Sequence, residues 1–245
     1  MRLFGLIGYP LSHSFSKKYF TEKFIAEGIN DCSYGLFPIH DINELNGLIK
    51  NHPTLKGLNI TVPYKQQVLG YLSHSNIPEA LRACNCIKIE KDKLTGYNTD
   101  VTGFEKSIFP LLKNHHNKAL ILGNGGAAAA VQFVLKKLNI DFKTVSRKVH
   151  AGSMLTYDDL TTEILSRHKL IINTTPLGTF PFINECPVIP YNGISQQHLL
   201  YDLIYNPVKT KFLSEGEKRG AQIFNGYTML VIQAEESWKI WNEIL

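Results

Sequence analysis

Short apolar runs that read as strands alternate along this chain with longer stretches of helical spacing, and the alternation itself predicts an α/β fold. The first series runs "RLFGLIG", a helical stretch from Phe15 to Glu27 stopped by Gly28, "CSYGLFPI", a helix around Leu45 to Lys50, and "LNITV". In the last of these Leu58, Ile60 and Val62 alternate with Asn59 and Thr61, which puts the amide and the hydroxyl on the opposite face of a strand. Pro63 cannot donate to a ladder and ends that strand, so Lys65 falls just beyond its carboxyl end.

A second alternating series begins near Leu120. "KALILGNGGAAAAVQFVLKKLN" passes from an apolar strand through a glycine turn into an alanine-rich helix, and "DFKTVSR", "KLIINTTPLG" and "HLLYDLIYN" supply further strands, the pattern of a doubly wound nucleotide domain. The segment "YTMLVIQAEESWKIWNEIL" places Leu230, Ala234, Trp238, Trp241 and Leu245 on one helical face, which is expected to return to the first domain.

Composition narrows the class without naming it. The 245 residues, 44% apolar and 19% charged, suit one large or two ordinary globular domains. A net charge of +5, from 26 basic and 21 acidic residues without a long run, is too scattered for a nucleic-acid surface and suits a small anionic ligand. No apolar run approaches the roughly 18 residues of a membrane span. The first residues read as a strand rather than a signal peptide, so a cytoplasmic protein is expected. Cys32, Cys84, Cys86 and Cys186 form no CxxC pair and the histidines no HExxH, so no metal is expected, and His115 and His116 read as part of a polar loop without a role.

Three stretches carry candidate chemistry. "LGNGGAA" fits G-x-G-x-x-A with Gly123, Gly125 and Ala128, between a strand and a helix: the first glycine permits the tight turn, the second lets backbone approach a pyrophosphate, and the third small residue packs helix on strand. About twenty residues on, where an NAD enzyme places an acidic residue on the ribose, stand Ser146, Arg147 and Lys148, two cations and a hydroxyl that suit a 2′-phosphate and favour NADP; a solvated basic loop is the alternative. Near the start, Ser14 and Ser16 precede a helix and fit either a carboxylate cradle or a helix cap. Asp100, in "GYNTDVTGF", fits either an N-cap or a partner for Lys65.

"HSFS" after G-x-P, "NITVPYK", "NTD", "GNGGA", "NTTPLG", "DLIYNP" and "NGYTMLVIQA" occur in the order and approximate spacing of the shikimate dehydrogenase family, and the resemblance covers nearly the whole chain. It implies an N-terminal α/β substrate domain, residues 1–101 completed by a C-terminal helix 226–245, and a Rossmann-like NADP domain, residues 102–225, flanking an active-site cleft. It implies reversible NADP-dependent interconversion of 3-dehydroshikimate and shikimate on the route to chorismate and the aromatic amino acids, by a monomer or homodimer.

Residue by residue, the resemblance implies that Ser14 and Ser16, with Tyr205, hold the substrate carboxylate, and that Asn59, Thr61, Asn85, Asp100 and Gln233 hold the ring hydroxyls. Lys65 is then the proton-transfer residue, assisted by Asp100. Gly123, Asn124, Gly125, Gly126 and Ala127 receive the pyrophosphate, Ser146, Arg147 and Lys148 the 2′-phosphate, and Thr174, Leu203 and Gly226 lie near the cofactor. The chain departs from the family at Lys17 to Phe20, at Thr228 where a second glycine is usual, and at Ser146-Arg147-Lys148 where Asn-Arg-Thr is usual. Two other readings compete: a quinate/shikimate dehydrogenase using NAD, and a catalytically silent protein that binds shikimate as a sensor.

Overall fold

The computed structural model describes residues 1–11, 14–91, 93–148 and 154–243, which leaves Leu245 of the amphipathic face outside the described residues. The chain divides into two compact units, Met1–Thr102 with Gln233–Leu245, and Gly103–Ile232.

The first unit contains β1 (Arg2–Gly8), α1 (Phe15–Ala26), β2 (Cys32–Pro38), α2 (Leu45–Asn51), β3 (Leu55–Ile60), β4 (His74–Ser75), β5 (Cys86–Glu90), β6 (Lys93–Tyr97) and the start of α3 (Thr99–Ile108). Its six-stranded sheet has the order β2-β1-β3-β5-β6-β4. β1 lies parallel to β2 and β3, whereas β5 runs antiparallel to both β3 and β6.

Alternation along β1 builds both faces of this sheet. Phe4 and Leu6 join Phe20 and Phe24 of α1, while Ile7 joins Leu45 of α2 together with Leu55, Leu58 and Ile60. A register shift between Leu3 and Phe4 puts both Leu55 and Leu58 on the α2 side, and so turns Gly57 and Asn59 toward the α1 side. There the sheet is buried on both faces: Asn59 is buried among protein groups rather than on a polar surface, and Val62, past the strand end at Ile60, is exposed instead of continuing the apolar face.

The second unit carries the rest of α3, then β7 (Lys118–Leu122), α4 (Gly126–Lys137), β8 (Asp141–Ser146), β9 (Met154–Thr156), α5 (Thr162–Arg167), β10 (Leu170–Asn173), β11 (Leu199–Asp202), α6 (Lys211–Glu217), β12 (Gln222–Phe224) and the first residues of α7 (Tyr227–Trp241). All pairings in its sheet are parallel, in the order β12-β11-β10-β7-β8-β9. Counted within the sheet this is 6-5-4-1-2-3, the order of a dinucleotide-binding Rossmann sheet, whose direction reverses between β7 and β10. Leu120, Leu122, Ile171 and Leu200 face Leu165 of α5 and Phe212 and Leu213 of α6 on one side.

α7 completes the first unit's core from Gln233 onward. Its buried positions there are Gln233, Ala234, Ser237, Ile240 and Trp241, so the stripe includes two polar residues that an apolar spacing rule omits. Trp241 stacks on Phe4 at 4.9 Å between ring centroids and donates its indole N–H to Ile87 O at 3.0 Å. A Cβ on Gly57 would stand 2.2 Å from that indole nitrogen, so β3 needs a glycine where the ring lies on it. Among the described residues, no helix is long and apolar enough to cross a membrane.

Candidate active site

In the first unit the polar residues past the strand ends converge. Lys65 Nζ lies 2.6 Å from Asp100 Oδ2, with side-chain exposures of 23% and 15%. Asp100 sits in the first turn of α3 as a partner of Lys65 and not as its cap: Asn98 caps the helix, accepting from Val101 N at 3.3 Å and donating to Ala83 O at 2.7 Å. Backbone bonds hold the two contributing loops together, with Cys84 N donating to Lys65 O at 2.7 Å and Asn85 N to Tyr97 O at 3.1 Å.

Beneath the ion pair lies a buried polar chain. Asn85 donates to Thr99 Oγ1 at 3.0 Å and accepts from Thr99 N at 2.6 Å; Thr99 Oγ1 is 3.4 Å from Gln233 Oε1 and 3.3 Å from Ser237 Oγ. Asn59 donates to Ser237 Oγ at 3.0 Å and accepts from the Tyr34 hydroxyl at 2.8 Å. Burial pushes the Tyr34 phenol strongly upward, with the Ser16 hydroxyl acting the other way.

Ser14 caps α1 by accepting from Lys17 N at 3.3 Å, and Thr61 continues the β3 ladder, donating its N–H to Ile7 O at 3.0 Å. The family departures at α1 have their own packing: Phe20 is buried against Tyr34 at 4.7 Å between centroids, and Tyr19 hydrogen-bonds Glu235 of α7. Burial pushes the Cys32 and Cys84 thiols up to about 11 and Cys86 higher, so these thiols stay protonated and unreactive.

The second unit places the glycine loop at the switch point of its sheet. Gly123 has φ +106° and its N–H donates to Val145 O at 2.8 Å; a Cβ there would stand 2.7 Å from Thr174 Oγ1 and 3.0 Å from Thr175 Cγ2. Gly125 caps α4 with extended backbone and no side-chain bond, and among the described residues a Cβ on Gly125 or Gly126 would meet nothing within 4 Å. That open, side-chain-free approach to a helix N-terminus fits a pyrophosphate.

Thr174, next to the loop, donates its hydroxyl to Leu122 O at 2.8 Å. At the end of β8 the Ser146 hydroxyl bonds Lys148 O, and Arg147 and Lys148 are exposed. Gly226 packs on Leu203 so tightly that a Cβ would stand 2.0 Å from Leu203 O. Tyr205 also belongs to this unit, half-buried after β11, with its phenol pushed up by burial.

Sequence reading missed two groups. Asp202 is fully buried at the end of β11, where it accepts from Thr210 Oγ1 at 2.6 Å, Asn173 Nδ2 at 3.0 Å and Ile204 N at 3.1 Å; burial pushes its carboxyl up to about 6 against the pull of these donors. A lone acid ending an apolar strand was its signal. His116 is buried, 3% exposed, within its polar loop, where its Nδ1 accepts from Lys113 N at 3.1 Å.

Residues 6–87 match the family model described as "Shikimate dehydrogenase substrate binding domain". Over 260 residues the chain is 38% identical to the shikimate dehydrogenase (NADP(+)) of Methanococcus maripaludis, covering 99% of this chain and 92% of the relative. Its fold matches a crystal structure of a shikimate dehydrogenase in complex with NADP+ at a TM-score of 0.86 and 30% identity, covering 99% and 90% of the two chains. It also matches the Thermus thermophilus shikimate 5-dehydrogenase in complex with NADP(H) and shikimate, at a TM-score of 0.87 and 25% identity, covering 100% and 95%.

Proposed function

Since the chain belongs to the NADP-dependent shikimate dehydrogenase family, we propose that it interconverts 3-dehydroshikimate and shikimate, a step toward chorismate and the aromatic amino acids. The observation that carries this reading is the Lys65–Asp100 pair at 2.6 Å, set above buried amides that suit a polyhydroxylated ring.

Bound NADP(H) supplies or accepts the hydride. In the reducing direction the carbonyl oxygen gains negative charge as its carbon is reduced. The Lys65 ammonium, oriented by Asp100, stabilises that charge and delivers a proton to the oxygen. In the oxidising direction Lys65 takes the hydroxyl proton. Asn85 and Gln233 position the ring hydroxyls with Thr61, and Ser14 and Ser16 hold the carboxylate.

The first unit is thus the substrate domain and the second the NADP domain. Within the second, Gly123 to Ala127 hold the pyrophosphate at the α4 N-terminus, while Thr174, Leu203 and Gly226 border the cofactor. Ser146, Arg147 and Lys148 select the 2′-phosphate, because no carboxylate stands there to repel it. Asn59 acts from beneath, since both its amide hydrogens and its oxygen already have protein partners.

Absorbance of reduced nicotinamide, followed with shikimate or quinate and NADP or NAD in the four combinations, tests the reading. Fastest turnover with shikimate and NADP is expected. Faster turnover with quinate and NAD would transfer the protein to that specificity, and ligand-induced thermal stabilisation without turnover in any combination would make it a sensor.

A further inference from the structure

Thr99, between the cap Asn98 and the catalytic Asp100, is 1% exposed and out of reach of any ligand, yet it contacts two of the amides assigned to the substrate. The two ends of a carboxamide are nearly the same shape, so hydrogen bonds alone decide which end faces a ligand.

At Asn85 that decision is fully determined. The Thr99 backbone N–H can only donate, which fixes Oδ1 on it at 2.6 Å; Nδ2 must then lie on Thr99 Oγ1, at 3.0 Å. One amide hydrogen of Asn85 stays directed away from Thr99. Having accepted from Asn85 Nδ2, the Thr99 hydroxyl shares its own proton among Asn85 Oδ1 at 3.4 Å, Gln233 Oε1 at 3.4 Å and Ser237 Oγ at 3.3 Å. This holds the Gln233 oxygen inward and puts its amide nitrogen on the opposite side. Ser237 ties the assembly to β3, accepting from Asn59 and donating to Gln233 O at 2.9 Å.

We propose that Thr99 is a positioning residue that fixes the orientation of the Asn85 and Gln233 amides, so that both offer N–H donors to the oxygen atoms of the substrate. The proposal rests on the reading that Asn85 and Gln233 hold the substrate. Thr99→Val keeps the shape and the backbone bond to Asn85 but removes the hydroxyl, which frees the Gln233 amide to turn and leaves Asn85 Nδ2 without its acceptor. Thr99→Ser restores the hydroxyl.

Steady-state kinetics of wild type and both variants, with shikimate and NADP varied separately and thermal midpoints measured alongside, provide the test. Thr99→Val is expected to raise the KM for shikimate about tenfold, the effect of one orienting hydrogen bond, with the KM for NADP within about twofold of wild type. Thr99→Ser should return the shikimate KM close to wild type. An unchanged shikimate KM in Thr99→Val, an equal rise in the NADP KM, or equal impairment of both variants would each overturn the proposal. If Thr99→Val does not fold, the same comparison is made with Thr99→Ala and the same outcomes decide it. A wild type without shikimate turnover overturns the functional reading and this inference with it, whereas an active wild type matched by Thr99→Val overturns the inference alone.

Discussion

Acidification should loosen the second unit through two histidines that close the same kind of turn. His116 N donates to Lys113 O at 2.8 Å while Lys113 N donates back to His116 Nδ1 at 3.1 Å; His198 and Ser195 repeat this at 3.0 Å for both bonds. A backbone N–H cannot accept, so in both rings Nδ1 must be unprotonated and Nε2 carries the hydrogen, donated to Gln197 O at 3.3 Å and Leu165 O at 3.0 Å. Burial is the main cause that lowers both pKa values below 6.5, and the charged neighbours add to it: Lys113, His115 and His198 around His116, and Lys169 and His115 around His198.

Because the folded-state values are depressed, the stabilisation is complete above the unfolded value near 6.5 and is lost as pH falls through the folded ones. Each histidine contributes a slope of up to about 1.4 kcal/mol per pH unit in that window. Protonating His116 sets donor against donor and costs about 1–3 kcal/mol, a sizeable part of a stability of about 5–15 kcal/mol. His198 costs less, because Ser195 O stands 3.3 Å from its Nδ1 and accepts once that nitrogen is protonated.

Hydrogen exchange at the amides of β7 and β11, corrected for the intrinsic rate at each pH, reads this locally. Protection should fall between pH 7 and 5 in the wild type. His116→Asn keeps an acceptor near the Nδ1 position but does not titrate, so it should flatten the fall. If His116→Asn and wild type lose protection in parallel, the histidine turns do not carry the effect.

Other outcomes follow from the site geometry. Lys65→Ala should lower kcat roughly a hundredfold while shikimate still shifts the thermal midpoint; near-normal turnover would remove Lys65 from the mechanism. Arg147→Ala should raise the KM for NADP far more than that for NAD, and an equal change in both would refute its contact with the 2′-phosphate. Gly226→Ala must push Leu203 aside, since its Cβ would stand 2.0 Å from a backbone oxygen, and should cost about 1–3 kcal/mol by chemical denaturation; a stability equal to wild type would show that the loop yields freely.

What the sequence made legible was local. The apolar runs of β1, β7 and β10 and the glycine turn into α4 announce themselves because period and turn chemistry act over a few residues. Lys65 and Asp100 read as candidates for a pair because both stand just past strand ends, but an N-cap stays open for Asp100, for the geometry that joins them depends on bonds between residues far apart in sequence, such as Cys84 N to Lys65 O. Asn59 read as the polar face of a strand. A register shift and α7 instead bury it, and neither Tyr34 nor Ser237 carries a local mark that would place it beside Asn59. His116 reads as having no role because its partner is a backbone N–H, which a string of side chains does not display.

The discontinuity of the first unit has a consequence for the order of events on the ribosome. Residues 103–232 are contiguous and can fold once they emerge, whereas the unit made first lacks Trp241 against Phe4 until residues 233–241 have been synthesised. Through that interval β1, α1 and β2 present Phe4, Phe20 and Tyr34 without the cover of Trp241, a surface that invites chaperones or aggregation. Gln233 and Ser237 arrive with the same segment, so the buried polar chain around Thr99 and the first core close together, after residues 103–232 have been made.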